Sequence, residues 1–269
     1  MNGLPQVELG MAFSPCPNDT FIFHAMVNGR INNATFKFTA FIADVEELNK
    51  RAFLETYPLS KLSFYAYLLL KERYELLDAG AALGNGCGPI LVAKKPLKSI
   101  NDATIAVPGP HTTAFLLFRL WQGQCKNIIF TPFNDILPGI ASGKYDAGLI
   151  IHEGRFVYPS YDCIEIIDLG NWWESETGLP IPLGCIALHR NMIQYKEVIE
   201  EMIRESIGYA KKNPVDTYRF IKKHAQEMDD SVIASHISLY VNKFSLSLGK
   251  EGAKAVKTLE DKAKRLGLI

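Results

Sequence analysis

No stretch of the 269-residue chain stays apolar for the ~20 residues that a membrane-crossing helix needs. The N-terminal MNGLPQVELGMAF lacks the basic start and the run of roughly 7–15 apolar residues that mark a secretory signal. These two absences predict a soluble, cytoplasmic protein with no membrane partner. Net charge is missing as well: 29 Lys and Arg balance 29 Asp and Glu, and no basic stripe interleaves with aromatics, so nucleic acid is not an expected partner. The five cysteines (Cys16, Cys87, Cys125, Cys163, Cys185) are odd in number, widely spaced and never in a CxxC pair, which argues against a disulfide framework and against zinc. GxSxG, HExxH, GxGxxG and a phosphate-loop lysine are absent, which removes the serine hydrolase, zinc protease and nucleotide-binding readings.

What is present is an alternation of short β-type and helical runs, the pattern of an α/β fold. VELGMAF (7–13), ATFKFTAFIA (34–43) and YPLSKLS (57–63) read as strands; TFIFHAMVNG (20–29), DVEELNKRAF (44–53) and FYAYLLLKERY (64–74) read as helices. The glycine-rich GNGCGPILVAKKP (84–96) leads into a buried-type strand. The alternation then restarts with ATIAVPG (103–109), HTTAFLLFRLWQG (111–123), KNIIFTPF (126–133), NDILPGIASG (134–143) and YDAGLIIHEG (145–154). NWWESETGLPIPLG (171–184) reads as a long polar loop entering the strand IPLGCIALHR (181–190), and 191–212, 214–227, 229–242 and 249–266 carry helical periodicity. The pattern predicts a discontinuous first lobe (1–92 and 187–269) and an inserted second lobe (93–186), with a hinge and a ligand cleft between them.

Four stretches carry candidate chemistry. In FSPCPNDTFIF (13–23), Pro15 and Pro17 end a strand, and Asn18, Asp19 or Thr20 is placed to cap a helix starting at Phe21, on the cleft rim. In VPGPHTTAF (107–115), Thr112, Thr113 and Ala114 form the first turn of a helix, whose free amides suit a carboxylate. In LSKLSF (59–64), Lys61 between Ser60 and Ser63 is either a small polar clamp or an ordinary solvated lysine. His152, directly after the run Ala147 to Ile151, stands at the carboxyl end of a strand, where a neutral imidazole accepts protons near physiological pH. On strand alternation Glu153 faces away from it. His111 is a more exposed, less fixed rival; His24 reads as packing; His189, His224 and His236 have no polar cluster around them in sequence. Trp172 and Trp173 either stack on a ligand or seal the lobe interface.

SPCPNDTF (14–21), KLS (61–63), GNGCGP (84–89), PGPHTTA (108–114), IIHEGRF (150–156) and WWESETGLPIPLG (172–184) together resemble the 1,4-dihydroxy-6-naphthoate synthase family of menaquinone biosynthesis. The likeness runs in order over nearly all the chain up to residue 190. It implies the two-lobed fold of type II periplasmic binding proteins and a carbon-carbon lyase reaction on cyclic dehypoxanthine futalosine without metal or cofactor. It further implies His152 as general base and contacts to a carboxylate substrate from Lys61, Leu62, Ser63, Thr113 and Ala114. Thr112, Asn18 and Asn85, which lie in the same motifs, complete the candidate set. One departure is Val157, where the family pattern has threonine. A second copy of the chain is the one protein partner left open. Three other readings share the fold: a chorismate dehydratase-like enzyme of the same superfamily; a solute-binding protein feeding a transporter, which would carry an export signal or lipid anchor; and a non-catalytic small-anion sensor, which differs only in lacking turnover.

Overall fold

The computed structural model describes residues 6–225 and 229–269. The chain opens with β1 (Val7–Phe13), α1 (Pro17–Val27), β2 (Phe36–Ile42), α2 (Val45–Phe53), β3 (Leu59–Ser63), α3 (Phe64–Leu70), β4 (Tyr74–Leu76) and β5 (Ala82–Gly84). It crosses to β6 (Ile90–Ala93), β7 (Thr104–Val107), α4 (Thr113–Gln122), β8 (Asn127–Phe130), α5 (Phe133–Ala141), β9 (Ala147–Ile150), α6 (Gly154–Val157) and β10 (Ile164–Asp168). Through α7 (Leu169–Thr177) it returns along β11 (Ile181–His189) and ends in α8 (Lys196–Lys212), α9 (Pro214–His224), α10 (Asp230–Tyr240), α11 (Lys243–Leu246) and α12 (Gly249–Arg265).

Two sheets result, in the orders β2-β1-β3-β11-β4, with β5 also on β11, and β10-β6-β9-β7-β8. β1 runs parallel to β2 and β3, and β7 parallel to β8 and β9, while β11 and β6 are antiparallel to their neighbours. β3 is buried throughout, and a strand buried on both faces requires cover on both sides of its sheet. Sheet membership changes between Gly84 and Ile90, and again between Asp168 and Ile181. The strand Ile90–Ala93 therefore stands in the second sheet and all of β11 in the first, a few residues ahead of boundaries at 92/93 and 186/187.

Two local expectations change. The first helix begins at Pro17, not Phe21, with Cys16 as N-cap and no side-chain cap; a proline at the first helical position loses no hydrogen bond, because that amide has no partner in the helix. Asn18, Asp19 and Thr20 are thus inside the first turn. Residues 171–177, expected in a loop, lie in α7, which Asp168 caps by accepting from the Gly170 and Asn171 amides and which stops at Gly178 in the left-handed conformation. Trp173 is fully buried there, its Nε1 donating to Pro180 O at 3.1 Å, and Trp172 packs against the same core, so both tryptophans serve packing. The 214–227 helix is α9 as far as His224; its last two expected residues lie outside the described ones.

Candidate active site

The carboxyl ends of β1, β3, β7 and β9 converge on a cavity lined from both sheets and from α10. That is where an open α/β sheet holds ligands. Asn18, Lys61, Leu62, Ser63, Thr112, Thr113, Ala114 and His152 all reach it. Asn85 does not: it is exposed in the turn after β5, away from the cavity lining. The segment crosses between the two sheets here.

Lys61 does not wait for a ligand. Its Nζ lies 2.7 Å from Asp19 Oδ1 and donates to Gly80 O at 3.3 Å, with both charged side chains buried. Asp19 also accepts from Ser14 Oγ (2.7 Å), Ser14 N (3.3 Å) and Asn18 Nδ2 (2.9 Å). A carboxylate in the first turn of α1 sits at the positive end of the helix dipole, and four donors satisfy it. Two of the three ammonium hydrogens thus hold the floor of the cavity, and one is left over. Ser63 is freer: Asn49 Nδ2 donates to its Oγ at 3.1 Å, which leaves the hydroxyl proton for a ligand. Leu62 alternates to the other side of β3, into the core, and offers backbone only.

The tip of α4 behaves differently from its side chains. Thr112 Oγ1 accepts from Phe115 N at 3.2 Å and donates to Gly109 O at 2.9 Å. Thr113 Oγ1 donates to Leu183 O at 2.7 Å and accepts from Tyr65 N at 3.2 Å. Both hydroxyls are consumed in structure. Among the described residues no acceptor meets the amides of Thr113 and Ala114, the first two of the helix, and these N–H groups with the dipole behind them are chemically suited to an anion.

His152 lies not at the end of the strand but two residues beyond it, at φ 55°, in the left-handed region. Strand alternation therefore does not govern it; the turn throws its ring into the cavity and Glu153 into a neighbouring pocket lined also by Phe133 and Val157. The one departure from the family pattern falls outside the main cavity. The imidazole stands edge-on to Phe133 at 4.9 Å between centroids and near-parallel to His236 at 6.3 Å. Its Nε2 is buried with no hydrogen-bond partner. His111, the expected rival, is well fixed and off the cavity: Nδ1 lies 2.7 Å from Glu46 Oε1 and its backbone amide donates to Glu46 Oε2 at 3.2 Å.

A family model described as menaquinone biosynthesis matches residues 9–265. The chain belongs to that family. It is 44% identical over 262 residues to the 1,4-dihydroxy-6-naphthoate synthase of Thermus thermophilus, covering 97% of this chain and 95% of that one. A crystal structure of a protein from Archaeoglobus fulgidus superposes with a TM-score of 0.92 at 34% identity, covering 97% of this chain and 98% of that one. The alkanesulfonate-binding protein of Xanthomonas axonopodis pv. citri shares the fold alone, with a TM-score of 0.73 at 12% identity over 98% of this chain and 95% of that one. The α/β, two-lobed, periplasmic-binding-protein-like architecture is thus established.

This menaquinone-biosynthesis enzyme builds its cavity with residues the sequence did not single out. His236 and Tyr240 line it from α10, and Ser14 from the turn after β1, beside Asp19, which the sequence offered only as a helix cap. Tyr240 donates to Cys87 O at 3.2 Å, and burial pushes its phenol far up. His236 contradicts the expectation that it lacks a polar surrounding: Nε2 lies 2.9 Å from Asn18 Oδ1, and burial holds the imidazole well below its ordinary range, with His152 and Lys61 adding to the shift. The available signal was the spacing of four between His236 and Tyr240, which puts both on one helix face.

Proposed function

We propose that the protein is a carbon-carbon lyase that converts cyclic dehypoxanthine futalosine to 1,4-dihydroxy-6-naphthoate, acting in the cytoplasm. A naphthoate-like substrate carries one carboxylate, and the Thr113 and Ala114 amides supply its binding site. The sugar-derived ring then lies toward Ser63 and His152, which face the same cavity. His152 removes a proton from that ring, and the electron pair left behind starts cleavage of the neighbouring carbon-carbon bond and release of a small fragment. Orientation within the enclosed cavity supplies much of the remaining acceleration.

The observation that carries this reading is the unpaired, buried Nε2 of His152, on a ring that lines the same cavity as two free helix amides. A buried acceptor without a partner is costly, and such groups persist where a ligand completes them. Purified protein given cyclic dehypoxanthine futalosine is expected to form the naphthoate, followed by absorbance and mass. The His152→Asn variant should fold and lose about 10²–10⁴-fold in kcat, the usual contribution of a placed proton-transfer group. Wild-type turnover by that variant would remove the base assignment.

A further inference from the structure

Resting on the reading just given, one group in the cavity still has no role. His236 is 1% exposed, its ring faces the cavity from α10, and its Nδ1 is buried with no hydrogen-bond partner. The other ring nitrogen is held, and the hydrogen bonds around it fix where the proton sits. Asp19, paired with Lys61 at 2.7 Å, is an acceptor only, so the group of Asn18 that lies 2.9 Å from it must be the amide NH2. The Asn18 carbonyl oxygen then faces His236 Nε2 at 2.9 Å and requires a donor there. Nε2 therefore carries the hydrogen, and Nδ1 is left with a lone pair and no partner on a ring that lines the cavity. Lys61 and two bonds from Ser14 immobilise the carboxylate from which this order propagates.

We propose that His236 is a substrate-binding residue: its Nδ1 accepts a hydrogen bond from a ligand hydroxyl, while Lys61, Asp19 and Asn18 act through it as positioning residues that fix the Nε2–H tautomer. The ligand class is a carboxylate that also carries hydroxyl groups. Lys61 has only hydrogens to give, two of them already on Asp19 and Gly80, so a ligand hydroxyl that donates needs His236 as its acceptor, while Ser63 supplies a donor. The neutral state suits this task, because an imidazolium would have no lone pair to offer, and burial among His152 and Lys61 keeps the ring uncharged. A site that accepts from a hydroxyl rejects the analogue lacking it, since the buried nitrogen would then stay unpaired.

Two measurements decide this. In the resting wild-type protein labelled with 15N-histidine, long-range proton–nitrogen correlation is expected to show His236 with a protonated Nε2 and a bare Nδ1; the Asn18→Leu variant should relax to a mixture of tautomers. A protonated Nδ1, or a charged ring, in the wild type would overturn the proposal. Next, wild-type protein is titrated with 1,4-dihydroxy-6-naphthoate and with 2-naphthoate, which keeps the carboxylate and lacks both hydroxyls. The hydroxylated compound should move the Nδ1 resonance of His236 and bind about 3–10-fold more tightly, the worth of one hydrogen bond. Equal affinity with an unmoved resonance would refute the acceptor role. In turnover, His236→Phe should raise KM by a similar factor while retaining more kcat than His152→Asn; an unchanged KM counts against the proposal. The tautomer measurement needs no substrate, so absence of lyase activity in the wild type would remove the proposed reaction and leave the tautomer result to stand or fall separately.

Discussion

A left-handed histidine is an unusual choice for a turn, and the position of His152 gives a direct test of why it is there. Asparagine tolerates φ near 55° while β-branched residues do not, so His152→Asn should melt within about 1 °C of wild type. His152→Val should cost about 1–3 kcal/mol, read from the urea unfolding midpoint. Equal stability of the two variants would show that the backbone strain is not what the turn imposes. Asp19 carries the opposite kind of expectation. Removing it as Asp19→Ala leaves the Lys61 ammonium buried with one carbonyl for company, and breaking a buried pair from one side costs about 3–5 kcal/mol. At this scale the sequence was partly legible. His152 stood out because it follows a run of strand residues, and Lys61 because charges are rare among apolar ones. His236 was invisible because the group that orients it, Asn18, is 218 residues away in the chain, and no local pattern records such a contact.

Elements, more than single side chains, keep the cavity walls in register. The two crossings between sheets touch at Gly88 and Gly170: a Cβ at Gly88 would stand 2.2 Å from the Gly170 amide nitrogen, so neither can carry a side chain. Arg155, on α6 just after the His152 turn, donates to Gly88 O at 3.1 Å and to Asp168 Oδ2 at 2.5 Å, tying that turn to both crossings. Gly88→Ala should therefore destabilise by about 1–3 kcal/mol through overpacking and also lower kcat, since the displaced crossing drags the turn with it. Loss of stability with full activity would detach the crossings from the site. The C-terminal helix α12 is fastened by charge instead. Lys264 at 2.6 Å and Lys71 at 2.8 Å hold the Glu260 carboxyl down from an ordinary 4.5 to about 2. A carboxyl whose folded pKa is depressed stabilises above its unfolded value and loses that contribution as pH falls through the folded one. Wild type should thus exceed Glu260→Gln by on the order of 1 kcal/mol above pH 4.5, with the gap closing toward pH 2 in urea titrations. Here the sequence served well for α2, α4 and α12, whose apolar spacing is helical, and failed for α7, because WWESET lacks that spacing while its real markers, the cap at Asp168 and the stop at Gly178, were overlooked.

For the molecule as a whole, the restart of the β/α alternation near residue 95 was enough to foresee two lobes, since a new sheet needs a new set of strands. What the pattern could not hold was the contact that shuts the lobes on each other. Glu46 on α2 of the first lobe reaches His111 in the second, accepting from its backbone and lying 2.7 Å from Nδ1. Gly109 makes the approach feasible, because a Cβ there would fall 2.5 Å from the Glu46 carboxylate. Burial raises the Glu46 carboxyl above its ordinary range, opposed by the hydrogen bond from His111, so the latch holds a group that solvent would take back on opening. Asn49 Nδ2 joins Glu46 at 3.3 Å and Ser63 at 3.1 Å, linking this latch to the cavity wall. A ligand must enter and leave a cavity enclosed by the two lobes, and so the latch has to release in each cycle. Cutting it with Glu46→Ala should shift the ligand-free protein toward the open form, seen as a larger radius of gyration by small-angle X-ray scattering than wild type under the same conditions. Saturating naphthoate should then restore the wild-type value, because the ligand binds both walls and selects the closed state. If the variant and the wild type scatter identically without ligand, the Glu46–His111 contact follows closure and does not contribute to it.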